Sequence, residues 1–360
     1  MSTPSDARPV DAAFTRALPK VELHAHLTGS ISPETLHQIW QDSKSDLPDP
    51  LTAIRPGKGA HHDIFSFFKV FDTYIYNLCN TPKAVAFATR EVLKAFRKDG
   101  VKYLELRTTP REALATGLSK EIYVETVLDT IAEFSRDKDD MRTFLMLSID
   151  RRNTITQAQK VLELAMGYRQ RGCGIVGIDL CGNPLRGDVS IFGEVFLRAR
   201  QEGFHIALHF AEILESSSDA ELETLLAMQP DRIGHVIHVS PKIVAEIESR
   251  NIGLELCLSC NVHAKMLPGK NRGFADHHFG EWYTRKCPIA LSTDDVGIFG
   301  SPVSNEYLLA AQHFRLSQND LVQLARRAVP SIFGDDEEKR RLHRLLDGFE
   351  TKLANSRLTL

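Results

Sequence analysis

Eight short apolar runs recur along the 360-residue chain, and the stretches between them carry helical periodicity. No other feature limits the fold so tightly. The runs cover 21–24, 101–106, 144–149, 175–180, 206–210, 232–236, 253–258 and 289–292, and the amphipathic stretches include 82–98, 120–136, 156–171, 191–202 and 241–250. Continuous rather than alternating hydrophobicity marks strands covered on both faces, as in parallel sheets. Strand–helix alternation argues for βαβ units. Eight of them predict an α/β fold, a (β/α)8 barrel with additional helices, whose active site lies at the C-terminal ends of the strands. A doubly wound open sheet is the alternative.

The chain reads as one domain over 1–360, with positions 1–17 expected as a flexible N-terminal segment and 33–80 as a helical insertion after the first strand. Within the insertion a polar linker runs through Lys58, and Phe65, Phe67, Phe68, Phe71, Tyr74 and Tyr76 are expected mostly in the core, with one or two lining the site. Positions 305–360 read as closing helices. A hydrophobic share of 42% suffices for a sizeable core. With 44 basic against 47 acidic residues the net charge is -3, which offers no basic face for nucleic acid. No stretch approaches the roughly 18 apolar residues of a membrane span, and the N-terminus lacks the pattern of a targeting segment. Six scattered cysteines suit a reducing cytosol better than a disulfide scaffold. The pair Cys257 and Cys260 has C-x-x-C spacing but no second pair, so it reads as structural. A cytoplasmic monomer is expected.

The strand ends are where a barrel would keep its chemistry. The first run ends in His24-Ala25-His26. Residues i and i+2 of a strand share a face, so both imidazoles can reach one metal ion; ordinary strand-end histidines have the same spacing. The fifth run ends in His209, followed by Phe210-Ala211-Glu212; the sixth reaches Gly234-His235; the eighth is followed by Thr293-Asp294-Asp295. Titratable groups thus gather at one end of four runs, while the other ten histidines lie elsewhere and are expected to be mostly ordinary. Three histidines and one carboxylate can form a protein shell for zinc, which would lower the pKa of a bound water toward ~7. His235 and Asp295 are placed to take a proton. Glu212 is placed to give one, because a carboxyl in a shielded pocket holds its proton. Asp294-Asp295 equally fits a helix cap, and Glu212 a helix start.

The chain resembles the adenosine/AMP deaminase branch of the metal-dependent amidohydrolases. The resemblance rests on Leu18-Pro19-Lys20-Val21-Glu22-Leu23-His24-Ala25-His26-Leu27, Tyr103-Leu104-Glu105-Leu106-Arg107, Gly177-Ile178-Asp179-Leu180-Cys181-Gly182, His209-Phe210-Ala211-Glu212, Arg232-Ile233-Gly234-His235 and Ser292-Thr293-Asp294-Asp295. It implies a (β/α)8 barrel with one Zn2+ per chain, held by His24, His26, His209 and Asp294. It further implies that Glu212 protonates purine N1, that His235 orients and deprotonates the attacking water with Asp295 sharing that work, and that the Gly182 amide meets ring N3.

Within the branch the chain is most similar to the group that deaminates N6-methyl-AMP. Adenosine deaminases usually carry Asp two residues after the second histidine, where this chain has Thr28. Two unit charges roughly 4 Å apart interact by about 4 kcal/mol at an effective dielectric of about 20. An Asp would therefore repel a 5′-phosphate, whereas Thr28 and Ser30 can donate to one. In that group the segments Thr108-Thr109-Pro110-Arg111 and Asp150 contact the nucleotide, and Arg111 could pair with phosphate in bidentate fashion. Arg151-Arg152 reads as a solvated loop. A departure falls at Tyr76, where the group usually has His; tyrosine still donates a hydrogen bond. His26 and Asp295 would also touch the ligand. The implied reaction is N6-methyl-AMP plus water to IMP plus methylamine. The rival readings are an adenosine deaminase, an adenine deaminase, and a zinc-binding barrel without catalysis.

Overall fold

In a computed structural model that describes residues 9–54, 63–137 and 140–358, the apolar runs become strands β1 Lys20–His26, β2 Val101–Thr108, β3 Arg142–Asp150, β4 Ile175–Cys181, β5 His205–Phe210, β6 Arg232–His235, β7 Gly253–Leu256 and β8 Ile289–Leu291. They pair in parallel and in chain order from β1 to β8. The seam between β8 and β1 closes through a parallel bridge of Ala25 with Asp294. The Asp294 N–H donates to the His24 carbonyl at 2.8 Å, and the His26 N–H donates to the Asp294 carbonyl at 3.0 Å. The (β/α)8 expectation holds; an open sheet would have left β1 and β8 apart.

Local chemistry explains the outer helices. Pro82–Lys98 starts with Pro at its first position and Thr81 accepting from the Ala84 N–H, which satisfies an otherwise orphaned donor. Ile155–Gln170 has a full capping box between Thr154 and Gln157. Helices Val303–Phe314, Gln318–Ala328 and Asp336–Leu358 close the barrel from outside. The insertion holds helices Pro33–Ser43, Pro50–Ala53, Ile64–Val70 and Tyr76–Leu78, with a π-helical turn over Phe71–Ile75. The linker at 55–62 and the side chains of Phe65 and Phe67 lie outside the described residues.

The N-terminal expectation needs correction. Ala12–Ala17 is a helix capped by Asp11, and Phe14 packs on Phe349 with ring centroids 5.6 Å apart. Gln318 also donates to the Pro9 carbonyl at 3.1 Å. The partners that order this segment lie more than 300 residues away, where local sequence gives no sign of them. Positions 1–8 lie outside the described residues.

The barrel interior is charged. Glu22, Glu105, Arg107, Asp179, Arg232 and Glu255 are fully buried there. Arg107 donates to Asp179 at 2.9 Å and to Glu255 at 2.7 Å; Arg232 donates to Glu255 at 2.6 Å and also pairs with Glu105. Below them Phe333 lies 3.4 Å under the Arg232 guanidinium and donates its N–H to Glu105 at 2.7 Å. Buried ion pairs rarely add net stability. This network acts through what it holds above it.

Candidate active site

Three strand ends leave the extended conformation where the titratable residues sit. Ala211, His235 and Asp294 have φ of 51°, 65° and 60°. Left-handed backbone at a non-glycine residue costs roughly 1–3 kcal/mol and persists only where the surroundings enforce it. Here it turns Glu212, His235 and Asp294 toward one point.

Two of the histidines, His24 and His209, are held from behind. His24 Nδ1 lies 2.6 Å from Glu255 Oε2, and His209 Nδ1 lies 2.8 Å from the Leu180 carbonyl. Both partners only accept, so both Nδ1 atoms carry hydrogen and both Nε2 atoms face the site. His26 Nε2 is 3.0 Å from His209 Nε2 and 3.3 Å from Asp294 Oδ1; His24 Nε2 is 3.4 Å from the same oxygen. Ligand bonds of about 2.0–2.2 Å arranged tetrahedrally put donor atoms about 3.3–3.6 Å apart. The spacing of these atoms is that of ligands around one cation, and His24 Nε2 is buried without a well-formed hydrogen bond. His235 also belongs to the cluster: its ligand atom and those of His24, His209 and Asp294 all lie within 4.8 Å of one another. Its Nε2, however, is 4.0 Å from Asp294 Oδ2 and 3.9 Å from Glu212 Oε1. The shorter distances favour His26 as the fourth ligand and leave His235 beside the metal position.

The acid–base properties follow from burial and neighbours. Burial, reinforced by the Asp294 charge, raises Glu212 to about 8. Burial also pushes Asp295 well above the carboxylate range, again with Asp294 and with Glu212 as repelling neighbours. Burial opposes charge on Asp294 too, but hydrogen bonds from His24 and His26 hold it well below that range. His209 is lowered by burial to about 4. For His24, burial and Arg107 oppose protonation, while Asp294 and Glu255 outweigh them and raise it to about 9. A bound cation takes the place of that proton.

A cavity opens at the cluster. Its lining includes the expected His26, Thr28, Tyr76, Thr108, Thr109, Arg111, Asp150, Gly182, His209, Glu212, Asp294 and Asp295. Gly182 has φ of 102°, and a Cβ there would lie 2.7 Å from Asp150 Oδ1, so only glycine fits. The Arg111 guanidinium stacks 3.1 Å from the Tyr76 ring centroid, which leaves its in-plane N–H groups for a ligand. The Thr108 hydroxyl instead bonds Tyr123 at 2.6 Å. Phe68 and Phe71 supply an apolar side, in line with the insertion lining the site in part.

Three expectations differ from the structure. Pro110 is buried and is not among the lining residues, because the chain turns inward after Thr109. Ser30 is buried against a separate cleft with Thr35 and Glu91. Arg151-Arg152 is solvated only in part: Arg151 is buried and pairs with Glu221, whereas Arg152 is exposed and lines the cavity while donating to both Asp150 oxygens at 2.9 and 2.7 Å. Sequence reasoning also missed Glu255, Arg107 and Arg232, whose only signal was charge inside or directly beside apolar runs. It missed Cys260 as well, whose thiol lies 2.8 Å from Asp294 Oδ2. That cysteine and the other five are all free.

A polar cavity over buried imidazoles whose free nitrogens converge is what a barrel enzyme needs to activate water, and the class so defined is that of the metal-dependent hydrolases. The chain belongs to the adenosine deaminase family, whose model matches residues 19–349. A Bos taurus relative named N6-methyl-AMP deaminase is 37% identical over 345 residues, covering 93% of this chain and 95% of the relative. Among solved structures, the Arabidopsis N6-mAMP deaminase superposes with a TM-score of 0.85 at 35% identity, covering 93% of this chain and 99% of that one. Arabidopsis ADAL complexed with IMP superposes with a TM-score of 0.85 at 34% identity, covering 94% and 99%.

Proposed function

We propose that the protein is a zinc-dependent purine aminohydrolase that converts N6-methyl-AMP and water to IMP and methylamine. The observation that carries this reading is the ligand spacing of His24, His26, His209 and Asp294 beside a cavity whose lining includes Glu212, still protonated near neutral pH. Thr28, Arg111 and Arg152 line the same cavity and can donate to an anion, and position 28 carries no carboxylate to repel one. The relatives named for N6-methyl-AMP support the same substrate. A metal held by the four ligands supplies a water acidic enough to attack near neutral pH.

The protein's own groups do the rest. The Gly182 amide, exposed to the cavity by the missing side chain, fixes one edge of the purine. Glu212 gives its proton to N1, which makes C6 electrophilic. His235 and Asp295 face the attacking water from the other side; a cation held by the neighbouring Asp294 would favour the charged form of Asp295, which as a carboxylate can receive the proton. Phe68 and Phe71 give an apolar surface near the ring. Among the described residues no helix is long and apolar enough to cross a membrane, and the free cysteines accord with a cytosolic setting, with one chain sufficing for the site.

Product analysis on N6-methyl-AMP, AMP, adenosine and adenine, with metal quantitation on the same sample, tests the reading. IMP and methylamine from N6-methyl-AMP, with about one zinc per chain, are expected. Faster turnover of adenosine than of N6-methyl-AMP overturns the nucleotide assignment.

A further inference from the structure

His235 is held from behind by groups that the scheme above does not use. Its Nδ1 lies 3.0 Å from Asn261 Nδ2, on the helix Leu258–His263. Asn261 Oδ1 lies 3.0 Å from His277 Nε2, and His277 Nδ1 lies 3.0 Å from the backbone nitrogen of Phe279. All three side chains are buried. The hydrogens in this chain have a single consistent assignment. A backbone N–H can only donate, so His277 Nδ1 accepts and the ring carries its hydrogen on Nε2. That hydrogen needs an acceptor, which makes the Asn261 atom facing it the carbonyl oxygen. The Asn261 amide nitrogen then faces His235, and its second hydrogen meets the Met266 sulfur, an acceptor, at 3.5 Å. His235 Nδ1 therefore receives a hydrogen bond, and the His235 hydrogen sits on Nε2.

That Nε2 has no hydrogen-bond partner among the described residues and looks toward Glu212 and Asp294, 3.9 and 4.0 Å away. We propose that Asn261 and His277 are positioning residues that lock His235 as an Nε2–H donor, so that His235 gives a hydrogen bond to the attacking oxygen while Asp295 alone takes the proton. The proposal rests on the hydrolytic reading above and divides a task that reading left shared. The water oxygen bonds to C6 and one of its protons goes to the Asp295 carboxylate. Glu212 protonates N1. As the C6–N bond breaks, the Asp295 proton leaves with the amine, and the proton of the C6 hydroxyl restores Glu212 as the carbonyl forms. The His235 hydrogen is neither lost nor gained. A His235 acting as base on Nε2 would instead carry its hydrogen on Nδ1, directed at the Asn261 NH2, donor against donor.

The test uses the metal-loaded enzyme with 15N-labelled histidine, the His235 signals being assigned by their absence from H235Q. Nitrogen shifts and two-bond couplings are expected to show a protonated Nε2 and a bare Nδ1. Asn261→Asp presents acceptors on both sides and moves the hydrogen to Nδ1; kcat is then expected to fall about 100-fold with KM and metal content within roughly threefold. His277→Gln, whose amide can still donate to Asn261, keeps the tautomer and keeps kcat within roughly threefold. A wild-type spectrum with a bare Nε2 overturns the proposal, as does an N261D enzyme whose tautomer switches at unchanged kcat. The wild-type spectrum decides even if N261D does not fold. Failure on every purine would sink the functional reading and leave the tautomer measurement standing by itself.

Discussion

Glu212→Gln is the perturbation that bears most directly on the chemistry. The residue is 6% exposed and its Oε1 lies 3.9 Å from His235 Nε2. Burial raises it to about 8, so roughly nine-tenths of the population is protonated at pH 7, the form an acid must have. Glutamine fills the same volume without a proton to give. A positioned general acid contributes about 10²- to 10⁴-fold, or roughly 3–5.5 kcal/mol of barrier. The loss is expected in kcat, because the metal ligands are untouched and the amide can still hydrogen-bond the ring. The sign of the pH effect follows from the shift: the working form is the protonated one, so wild-type kcat is retained below the folded-state pKa and falls about tenfold per pH unit above it. A bound cation draws that limb to lower pH. Stopped or continuous ultraviolet assays of purine deamination between about pH 6 and 9.5, with metal analysis of each sample, measure both quantities. An E212Q enzyme with full metal and a kcat within about tenfold of wild type, or one that keeps the alkaline limb, would refute the acid assignment.

Other outcomes follow from the same geometry. Thr28→Asp is expected to lower kcat/KM for N6-methyl-AMP relative to the nucleoside by about tenfold or more, after solvent screening of a charge repulsion of about 4 kcal/mol, and an unchanged ratio would remove residue 28 from the phosphate end. Gly182→Ala forces a side chain into left-handed backbone against Asp150, so KM is expected to rise about tenfold or more, read from steady-state kinetics. Cys260→Ala removes the donor to Asp294 Oδ2 and is expected to weaken metal retention against a chelator by about tenfold, whereas Cys260→Ser keeps a donor and most of the affinity. Metal removal by chelation is expected to lower the melting temperature, since any ion bound only by the folded state adds stability by mass action; identical melting curves would show that the cluster holds no ion.

Much of this was legible before the structure. The eight runs coincide with the strands to within about two residues at most ends, because a strand buried on both faces must be apolar throughout while its polar neighbours mark where it stops. The same contrast exposed His24, His26, His209, Glu212, His235, Asp294 and Asp295, since a barrel puts its chemistry just past those stops. What stayed hidden depends on pairing across the barrel. His24 and Glu255 are 231 positions apart, and no periodicity encodes which charge faces which. Arg151 and Arg152 looked solvated because adjacent like charges usually are, and Arg152 is exposed, yet the turn after β3 sends Arg151 inward to Glu221. His277 looked ordinary for a related reason: its function is to orient another side chain, and only the direction of three hydrogen bonds reveals it.

The seam of the barrel and its chemistry are the same few atoms. β8 meets β1 through the backbone of Asp294, which bonds the carbonyl of His24 and the N–H of His26, two residues whose rings share its carboxylate. The left-handed φ of 60° at Asp294 lets its main chain continue the sheet while its side chain turns into the site. The proposed ligands at 24, 26 and 294 therefore come into register only when the last strand has joined the first. A β1–β8 pairing shifted by one residue would send Asp294 to the other face, losing the seam bonds and the ligand together. The strain at Asp294, and the charged floor that fixes His24 from below, are thus best understood as one arrangement, in which closing the fold and assembling the metal site are a single event.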